Sequence, residues 1–434
     1  MKTLSGIARI LRQRRKAILI TLACLAIGAS GLYWIAALGR APDFADGPVT
    51  GSAGNPSQSA SPQPPPPTPP PPPPPPPTPV PTPLPTMAKP PASTPAGSTS
   101  SPTINTARHR IYYGTDRVPL TAVGTFGTSP AVVEAGSGIL RPLALGWCDV
   151  DVPLDRHRVG AVERPTWWTL DWRDWKEDPS RHFVIVKRSV DPDGFWPQVT
   201  RAASDDGVLV FIHGFNVAFD AAVFKTAQLA HDLEFHGAPI LYSWASAATS
   251  RDYVADKERN EATVPLLKEF LVQLSARTPN TKIHVIAHSM GNRALIQALG
   301  QLAQEQRGPR LTEVIMAAPD VDRRVFLGLA PAFVRTAERI TLYASGSDRV
   351  LQLAKQLERG PRAGDANPVL TFPGIESIDA TVVSTDFLAH SYYSDPRLLG
   401  DISSLIKHNG GLPRFSIEGV PRVKPVWWRF LPES

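Results

Sequence analysis

The sequence predicts an α/β fold, in which helices cover both faces of a mostly parallel sheet. Three observations lead to this expectation. Between residues 206 and 408, short apolar runs rich in β-branched residues alternate with amphipathic segments of helical periodicity. The runs are almost continuously hydrophobic, which is typical of strands buried on both faces. Polar residues and glycines follow the runs at their carboxyl ends, where sites form in open parallel sheets.

The alternation sets the order of the elements in the core. We expect strands at 207–212, 238–244, 283–287, 312–317, 339–345 and 379–385. We expect helices at 218–237, 260–278, 290–304, 323–334, 349–358 and 396–408. Before this core, residues 106–205 form a strand-rich N-terminal extension, with strands predicted at 110–117, 145–153 and 182–190. Residues 409–434 follow the core as a C-terminal tail.

The first 38 residues predict a membrane anchor. Residues 1–16 carry six basic side chains and no acidic ones, and residues 17–38 carry no charge. A helix of 22 residues spans about 33 Å, close to the thickness of the hydrocarbon core. The basic flank favours a cytoplasmic N-terminus and an extracytoplasmic remainder, hence a single-pass protein of the inner membrane. A cleaved signal peptide is the alternative.

Residues 39–105 read as a proline-rich, disordered linker. Between residues 61 and 95, 21 of the 35 residues are proline. Such a chain favours polyproline II, with about 3.1 Å of rise per residue, and acts as a semi-rigid spacer. We therefore expect a tether that holds the folded domain away from the membrane.

The composition also excludes several classes of function. Outside residues 1–16, the chain carries 39 basic and 39 acidic side chains, so no nucleic-acid-binding surface is implied. Cys148 is the only cysteine beyond the predicted anchor, which rules out an intrachain disulfide and a cysteine metal cluster there. The chain has neither a His-Glu-x-x-His string nor a phosphate-binding loop. We accordingly expect no metal and no cofactor in the chemistry.

The stretch VIAHSMGNRAL, residues 285–295, predicts a nucleophile elbow. Ser289 lies where an apolar strand gives way to a helix, and the positions two before and two after it are the small residues Ala287 and Gly291. A sharp turn of this kind requires small neighbours and presents the serine hydroxyl above the sheet. The amide of Met290, at the start of the helix, can donate to an oxyanion.

A serine nucleophile needs a base and an orienting carboxylate. Of the ten histidines, His390 alone follows the last predicted strand and precedes a helix, so it is the expected base. Three aspartates follow late strands: Asp320, Asp322 and Asp348. The small residues before Asp348 favour it as the acid, with Asp320 as the alternative.

The motifs VFIHGFNVAFDAA, AHSMGNRAL, APDVDR, TLYASGSDRVL and LAHSYYSDP together resemble a family of bacterial alpha/beta-hydrolases, an esterase- and lipase-like group of unknown function. The resemblance covers roughly residues 108–407. It implies Ser289 as nucleophile, His390 as base and an aspartate after a late strand as acid. It also implies an oxyanion hole formed by the amides of Phe215 and Met290.

These features predict a membrane-anchored serine hydrolase that acts on a small-molecule or lipid ester. Two alternatives stay open: a non-catalytic tethered module of the envelope, and an acyltransferase that uses the same triad. Five tryptophans between residues 165 and 197 form either a packed layer over the sheet or an apolar surface for an acyl chain or a membrane.

Overall fold

The computed structural model describes residues 104–134, 138–165, 176–249, 251–306, 308–358, 360–383, 395–414, 416–420 and 426–432. The predicted basic segment, the membrane helix and nearly all of the linker lie outside these residues, as do His390 and four of the five clustered tryptophans. The chain divides into two units, Met1–Ser93 and Thr94–Ser434, and every described residue belongs to the second. No helix within the described ranges has the length and apolar character to span a membrane.

An 11-stranded mixed sheet organises the domain, and a two-stranded hairpin accompanies it. In chain order the strands are β1 (Thr106–Thr115), β2 (Arg117–Pro119), β3 (Phe126–Pro130), β4 (Ala144–Pro153), β5 (Val184–Val190), β6 (Val208–Ile212), β7 (Ala238–Ser243), β8 (Ile283–His288), β9 (Leu311–Ala317), β10 (Ala337–Ala344), β11 (Glu376–Asp379), β12 (Ile417–Gly419) and β13 (Trp428–Phe430). The order across the sheet is β12-β13-β11-β10-β9-β8-β6-β7-β1-β4-β5, and β2 pairs with β3.

The helices lie between successive strands of the sheet. They are α1 (Pro192–Ala202), α2 (Phe219–Asp232), α3 (Tyr253–Ala262), α4 (Val264–Arg277), α5 (Gly291–Gln304), α6 (Arg323–Phe333), α7 (Arg349–Leu357) and α8 (Pro396–His408). The predicted α/β fold, with its mostly parallel sheet, is therefore confirmed. The segment predicted as one helix over 260–278 consists of two helices that meet at Thr263, where Pro265 opens the second.

The central strands are buried on both faces, as their sequences predict. On β6, Val208, Val210 and Ile212 belong to the hydrophobic cluster on one face of the sheet. Leu209 and Phe211 alternate with them and belong to the cluster on the opposite face. Because successive side chains of a strand point to opposite faces, a strand covered on both sides must be apolar throughout.

The N-terminal strands extend the same sheet. β1 runs parallel to β7 and antiparallel to β4, and β4 pairs antiparallel with β5. The last residues of β1 and β7, Thr115 and Ser243, lie side by side at the carboxyl edge of the sheet. This register delivers the residues after β1 to the edge where the predicted site lies.

The last strand of the core differs from its prediction. Residues 379–385 were expected to form it, but β11 spans Glu376–Asp379 and Thr381–Val383 form a 3₁₀ turn. The carboxylate of Asp379 accepts hydrogen bonds from the amide of Thr381, at 2.8 Å, and from its hydroxyl. An aspartate that bonds the backbone two residues onward forms a turn and ends the strand.

Candidate active site

Ser289 occupies the turn between β8 and α5, as the elbow prediction requires. Its φ is +50°, in the left-handed region that non-glycine residues rarely adopt. Such a conformation costs on the order of 1–3 kcal/mol and persists only where the surroundings hold it. Sequence reasoning predicted an exposed hydroxyl here, but the Ser289 residue is 1% exposed.

Two glycines allow the chain to pack this tightly around Ser289. A Cβ atom on Gly291 would lie 2.6 Å from the carbonyl oxygen of His213 and 2.8 Å from that of Ile212. A Cβ atom on Gly214 would lie 2.9 Å from the Cβ of Ser289. Any side chain at either position would therefore push the elbow away from the segment that follows β6.

Asn292 holds the backbone of the turn. Its side-chain amide donates to the carbonyl oxygens of Ala287, at 3.0 Å, and Ser289, at 3.2 Å. The amide of Ser289 donates to Ala317 at the end of β9. Sequence reasoning missed Asn292. The available signal was a polar residue on the first turn of a helix that otherwise presents small and apolar residues to the sheet.

The two predicted oxyanion donors lie on the two segments that meet here. Met290 immediately precedes α5, where the first N–H groups of a helix have no intrahelical acceptor. Phe215 lies in the segment 213–218 after β6, which we call the oxyanion loop. Gly214 of this loop is packed against Ser289, as its Cβ position shows. The structure therefore brings the Phe215 loop and the Ser289–Met290 turn together.

Arg117 anchors the oxyanion loop from the N-terminal strands. Its guanidinium is fully buried and donates to the carbonyl oxygens of Val217, at 2.7 Å, and Ser246, at 2.9 Å, and to the hydroxyl of Ser243 at 2.9 Å. Burial lowers the pKa of Arg117 to about 10, so the group stays charged at neutral pH. Arg117 is the last residue of the strand predicted at 110–117, and sequence reasoning gave it no role.

A second anchor fixes the same loop from the other side. The hydroxyl of Ser246 accepts from the amide of Val217 at 3.2 Å and donates to the buried carboxylate of Asp256 at 2.6 Å. Asp256, on α3, also accepts from the amide of Ala247 at 2.7 Å. One polar network thus connects the oxyanion loop, the segment after β7 and helix α3.

His213, the first residue of the oxyanion loop, is bonded within the loop and to β7. Its Nδ1 lies 2.8 Å from the carbonyl oxygen of Gly214, its Nε2 lies 3.2 Å from the hydroxyl of Ser243, and its ring stacks on Trp244. Complete burial, together with the nearby charge of Arg117, lowers the pKa of His213 to about 3. His213 is therefore neutral in the folded protein and poorly suited to act as a base.

The two candidate acids have different surroundings. Asp320 is committed to a buried pair: its Oδ1 lies 3.0 Å from Nε of Arg362, and its Oδ2 accepts from the hydroxyl of Tyr253 at 2.7 Å. Asp348 follows β10, is completely buried, and accepts from the amide of Leu351 at 2.9 Å as the N-cap of α7. Asp322, the third aspartate that follows a late strand, caps α6.

A cavity of about 430 Å³ lies beside the oxyanion loop. Its walls include His213, Gly214 and Val217 of the loop, together with His288, which precedes Ser289 in the sequence. Phe224 and Lys225 of α2 also line it, and Asp220 and Arg164 add charged groups. The lining thus combines apolar and charged side chains.

Comparisons with known proteins agree with this architecture. Residues 197–408 match the family described as alpha/beta hydrolase of unknown function (DUF900). An uncharacterized protein of Nostoc sp., alr1448, is 26% identical over 232 residues, which cover 39% of this chain and 60% of that protein. The chain thus spans about three fifths of the length of this curated relative.

Comparison with solved structures gave matches with low TM-scores. The crystal structure of DphMB1 is 12% identical, with a TM-score of 0.29, over 46% of this chain and 78% of that one. A Trichoderma reesei cutinase in complex with a C11Y4 phosphonate inhibitor is 12% identical, with a TM-score of 0.24, over 50% of this chain and 90% of that one. Neither likeness bears on the activity of this chain.

The low pKa of His213 predicts an acid-sensitive fold. An unfolded histidine titrates near 6.5 and the folded one near 3, so the neutral side chain contributes its full stability above pH 6.5 and loses it as the pH falls. Between pH 7 and pH 5, the wild type should lose about 2 kcal/mol more unfolding free energy than His213→Gln, measured by urea titration. His236→Asn, which alters an imidazole that is 79% exposed, serves as the control and should follow the wild type. Equal losses in the wild type and His213→Gln would contradict the assignment.

Proposed function

We propose that this chain, a member of the alpha/beta-hydrolase family through its residues 197–408, is a serine hydrolase that cleaves a carboxylic ester through a covalent acyl-enzyme. The observation that carries the proposal is the left-handed backbone of Ser289, at φ +50°, on a strand-to-helix turn. The chain stabilises a strained serine there with two glycines and one asparagine, and strain of this kind concentrates at functional sites.

In the first half of the reaction, Ser289 Oγ attacks the ester carbonyl carbon while His390 accepts the hydroxyl proton. The carbonyl oxygen becomes an oxyanion, which the amides of Phe215 and Met290 stabilise by hydrogen bonds. Collapse of the tetrahedral intermediate breaks the bond to the alcohol oxygen. His390 returns its proton to that alkoxide, and the alcohol leaves while the acyl group remains on Ser289.

In the second half, water attacks the acyl-enzyme. His390 takes a proton from the water, and the amides of Phe215 and Met290 again stabilise the oxyanion. The intermediate then releases the carboxylic acid, and Ser289 Oγ recovers its proton from His390. An alcohol in place of the water would give an acyl transfer by the same steps.

The surroundings of the other histidines support His390 as the base. His213 is buried with a pKa near 3. His284 lies within β8, and burial lowers its pKa to about 4. His288 is placed by the same strand beside Gly214, one residue before the nucleophile. His390 follows β11 in sequence, in the Ser, Asp, His order that this arrangement uses.

The acid in the proposal is Asp348. Its bond to the amide of Leu351 uses one of the roughly four acceptor positions of a carboxylate, so capping α7 is compatible with orienting a base. Asp320, in contrast, is paired with a buried arginine and a tyrosine. The Tyr253 hydroxyl that donates to Asp320 has a raised pKa, because it is buried and close to this carboxylate.

The proposal also includes an anchored location. Residues 17–38 would cross the inner membrane once, residues 39–105 would form the tether, and the hydrolase domain would face outward. The site would then meet ester substrates of the envelope, small molecules or lipids.

Ser289→Ala should abolish labelling of the full chain by a fluorophosphonate probe. It should also lower turnover of a p-nitrophenyl ester by about a millionfold, the usual cost of removing a triad nucleophile. Ser204→Ala, which alters an exposed serine before β6, is the matched control and should keep both activities. Labelling that survives in Ser289→Ala would remove the nucleophile assignment, whereas absence of labelling in the wild type would favour a non-catalytic module.

We predict opposite effects when each of the two aspartates is changed to asparagine. Asp348→Asn can still cap α7 and should keep stability, but turnover should fall about ten-thousandfold because the base loses its orienting carboxylate. Asp320→Asn removes the nearer of the two carboxylates paired with the buried Arg362 and leaves only Glu358, at 3.6 Å, so it should lose about 3 kcal/mol of unfolding free energy while its folded fraction keeps turnover. Ester assays and urea titrations on both variants test this assignment. The reverse pattern would identify Asp320, which follows β9, as the acid.

The anchored topology predicts the behaviour of fusions made after residue 105. A reporter that is active only outside the cytoplasm should be active at this junction, because the basic residues 1–16 keep the N-terminus inside. A reporter that works only in the cytoplasm should be inactive there, and the opposite pair of results would reverse the orientation. N-terminal sequencing of the mature protein distinguishes the anchor from a signal peptide, since cleavage would yield a chain that begins near residue 40.

A further inference from the structure

Three histidines and two carboxylates converge at a place that the proposed reaction does not use. His109 lies on β1, His157 and Glu163 lie in the loop after β4, and His231 and Asp232 end α2. We call these five residues the histidine cluster. Its members come from segments separated by up to 122 residues in the sequence, so only the fold assembles it.

The contacts within the cluster are short. Nε2 of His157 lies 2.6 Å from Oδ1 of Asp232, and its Nδ1 lies 3.0 Å from Oε2 of Glu163. Nε2 of His109 lies 3.1 Å from Nδ1 of His231. The side chains of His157 and Asp232 are 6% and 1% exposed, so this group is largely withdrawn from solvent.

We propose that His157, His231 and Asp232 bind a divalent transition-metal ion, Zn²⁺ being the ion that best fits two imidazoles and one carboxylate. One ligand atom from each of these residues lies within 4.8 Å of the others. Zinc binds imidazole nitrogen at about 2.0–2.1 Å and carboxylate oxygen at about 2.0–2.2 Å, so two tetrahedral ligands lie roughly 3.3 Å apart.

The neighbours of these three residues have the arrangement that metal ligands require. A ligating histidine usually donates its second ring N–H to a carboxylate or another acceptor, and here Nδ1 of His157 faces Glu163. The far oxygen of Asp232 accepts from the amide of Gly160 at 2.6 Å and from the side chain of Gln228 at 2.5 Å. These bonds orient Oδ1 of Asp232 towards His157.

Charge and hydrogen-bond capacity are also compatible with a dication. The carboxylates of Asp232 and Glu163 lie 2.6 Å and 3.0 Å from the two ring nitrogens of His157 and would supply two negative charges beside the ion. Oε1 of Gln228, buried next to Asp232, has no hydrogen-bond partner in the described ranges, and a water on the open zinc position would supply a donor.

An ion here would join the loop after β4 to the end of α2, and His109 of β1 lies 3.1 Å from the ligand His231. The opposite end of α2 follows the oxyanion loop directly, and the loop after β4 contributes Val162 and Arg164 to the cavity beside that loop. Zinc in this position would therefore have a structural role and would take no part in the chemistry of Ser289.

The test measures zinc on the full chain after treatment with EDTA and removal of the chelator. Titration calorimetry should show one Zn²⁺ per chain, and zinc should raise the thermal midpoint. Glu163→Gln, which removes a supporting carboxylate, should weaken binding about 10–100-fold, and His231→Asn, which removes a ligand, should weaken it by more than about 100-fold. Circular dichroism spectra verify that both variants fold.

Two controls separate this inference from others. His236→Asn alters an exposed histidine four residues beyond Asp232 and should bind zinc as the wild type does. Ser289→Ala should also bind zinc normally, so failure of the hydrolase proposal leaves this one standing. Absence of zinc binding in the wild type, or equal binding by His231→Asn, would overturn the proposal and identify the cluster as a protonated histidine held between two carboxylates.

Discussion

The close approach between the turn at Ser289 and the oxyanion loop is the constraint on which the rest of the site depends. Gly214 and Gly291 permit this approach, since a Cβ atom at either position would come within 3 Å of the opposing segment. The approach places the segments that carry Phe215 and Met290 next to each other, as the proposed oxyanion hole requires. Gly214 packs against Ser289 in this contact, and Ser289 is buried.

A loop pressed against a strained turn needs anchors, and the chain supplies them from distant segments. Arg117 reaches from the end of β1 to the carbonyl oxygens of Val217 and Ser246, while Asp256 holds the Ser246 hydroxyl from α3. A buried guanidinium is costly unless its donors are satisfied, and this one is bonded to three oxygen acceptors at 2.7–2.9 Å. The parallel pairing of β1 with β7 therefore has a role at the site, since it sets the position from which Arg117 reaches the loop.

Local patterns predicted much of this structure, and long-range contacts account for what they missed. The turn at Ser289 was predictable because its small neighbours and its strand-helix boundary lie within a few residues. The role of Arg117 was not predictable, since its acceptors on Val217 and Ser246 lie 100 and 129 residues away in the sequence. The strand predicted at 379–385 failed for a local reason: Val382 and Val383 favoured a strand, but the turn formed by Asp379 ends it first.

The same distinction applies to the aspartates and to the histidine cluster. Both Asp320 and Asp348 follow strands, and the sequence alone favoured Asp348 only through the small residues that precede it. Only the fold shows that Asp320 faces the buried Arg362, which is 42 residues further along the chain. In the histidine cluster, His157 is brought to Asp232 across 75 residues. Groups that the fold assembles from distant segments cannot be found by searching for short motifs. Helix α2 connects two such places, because the oxyanion loop precedes its first residue and the histidine cluster includes its last two residues.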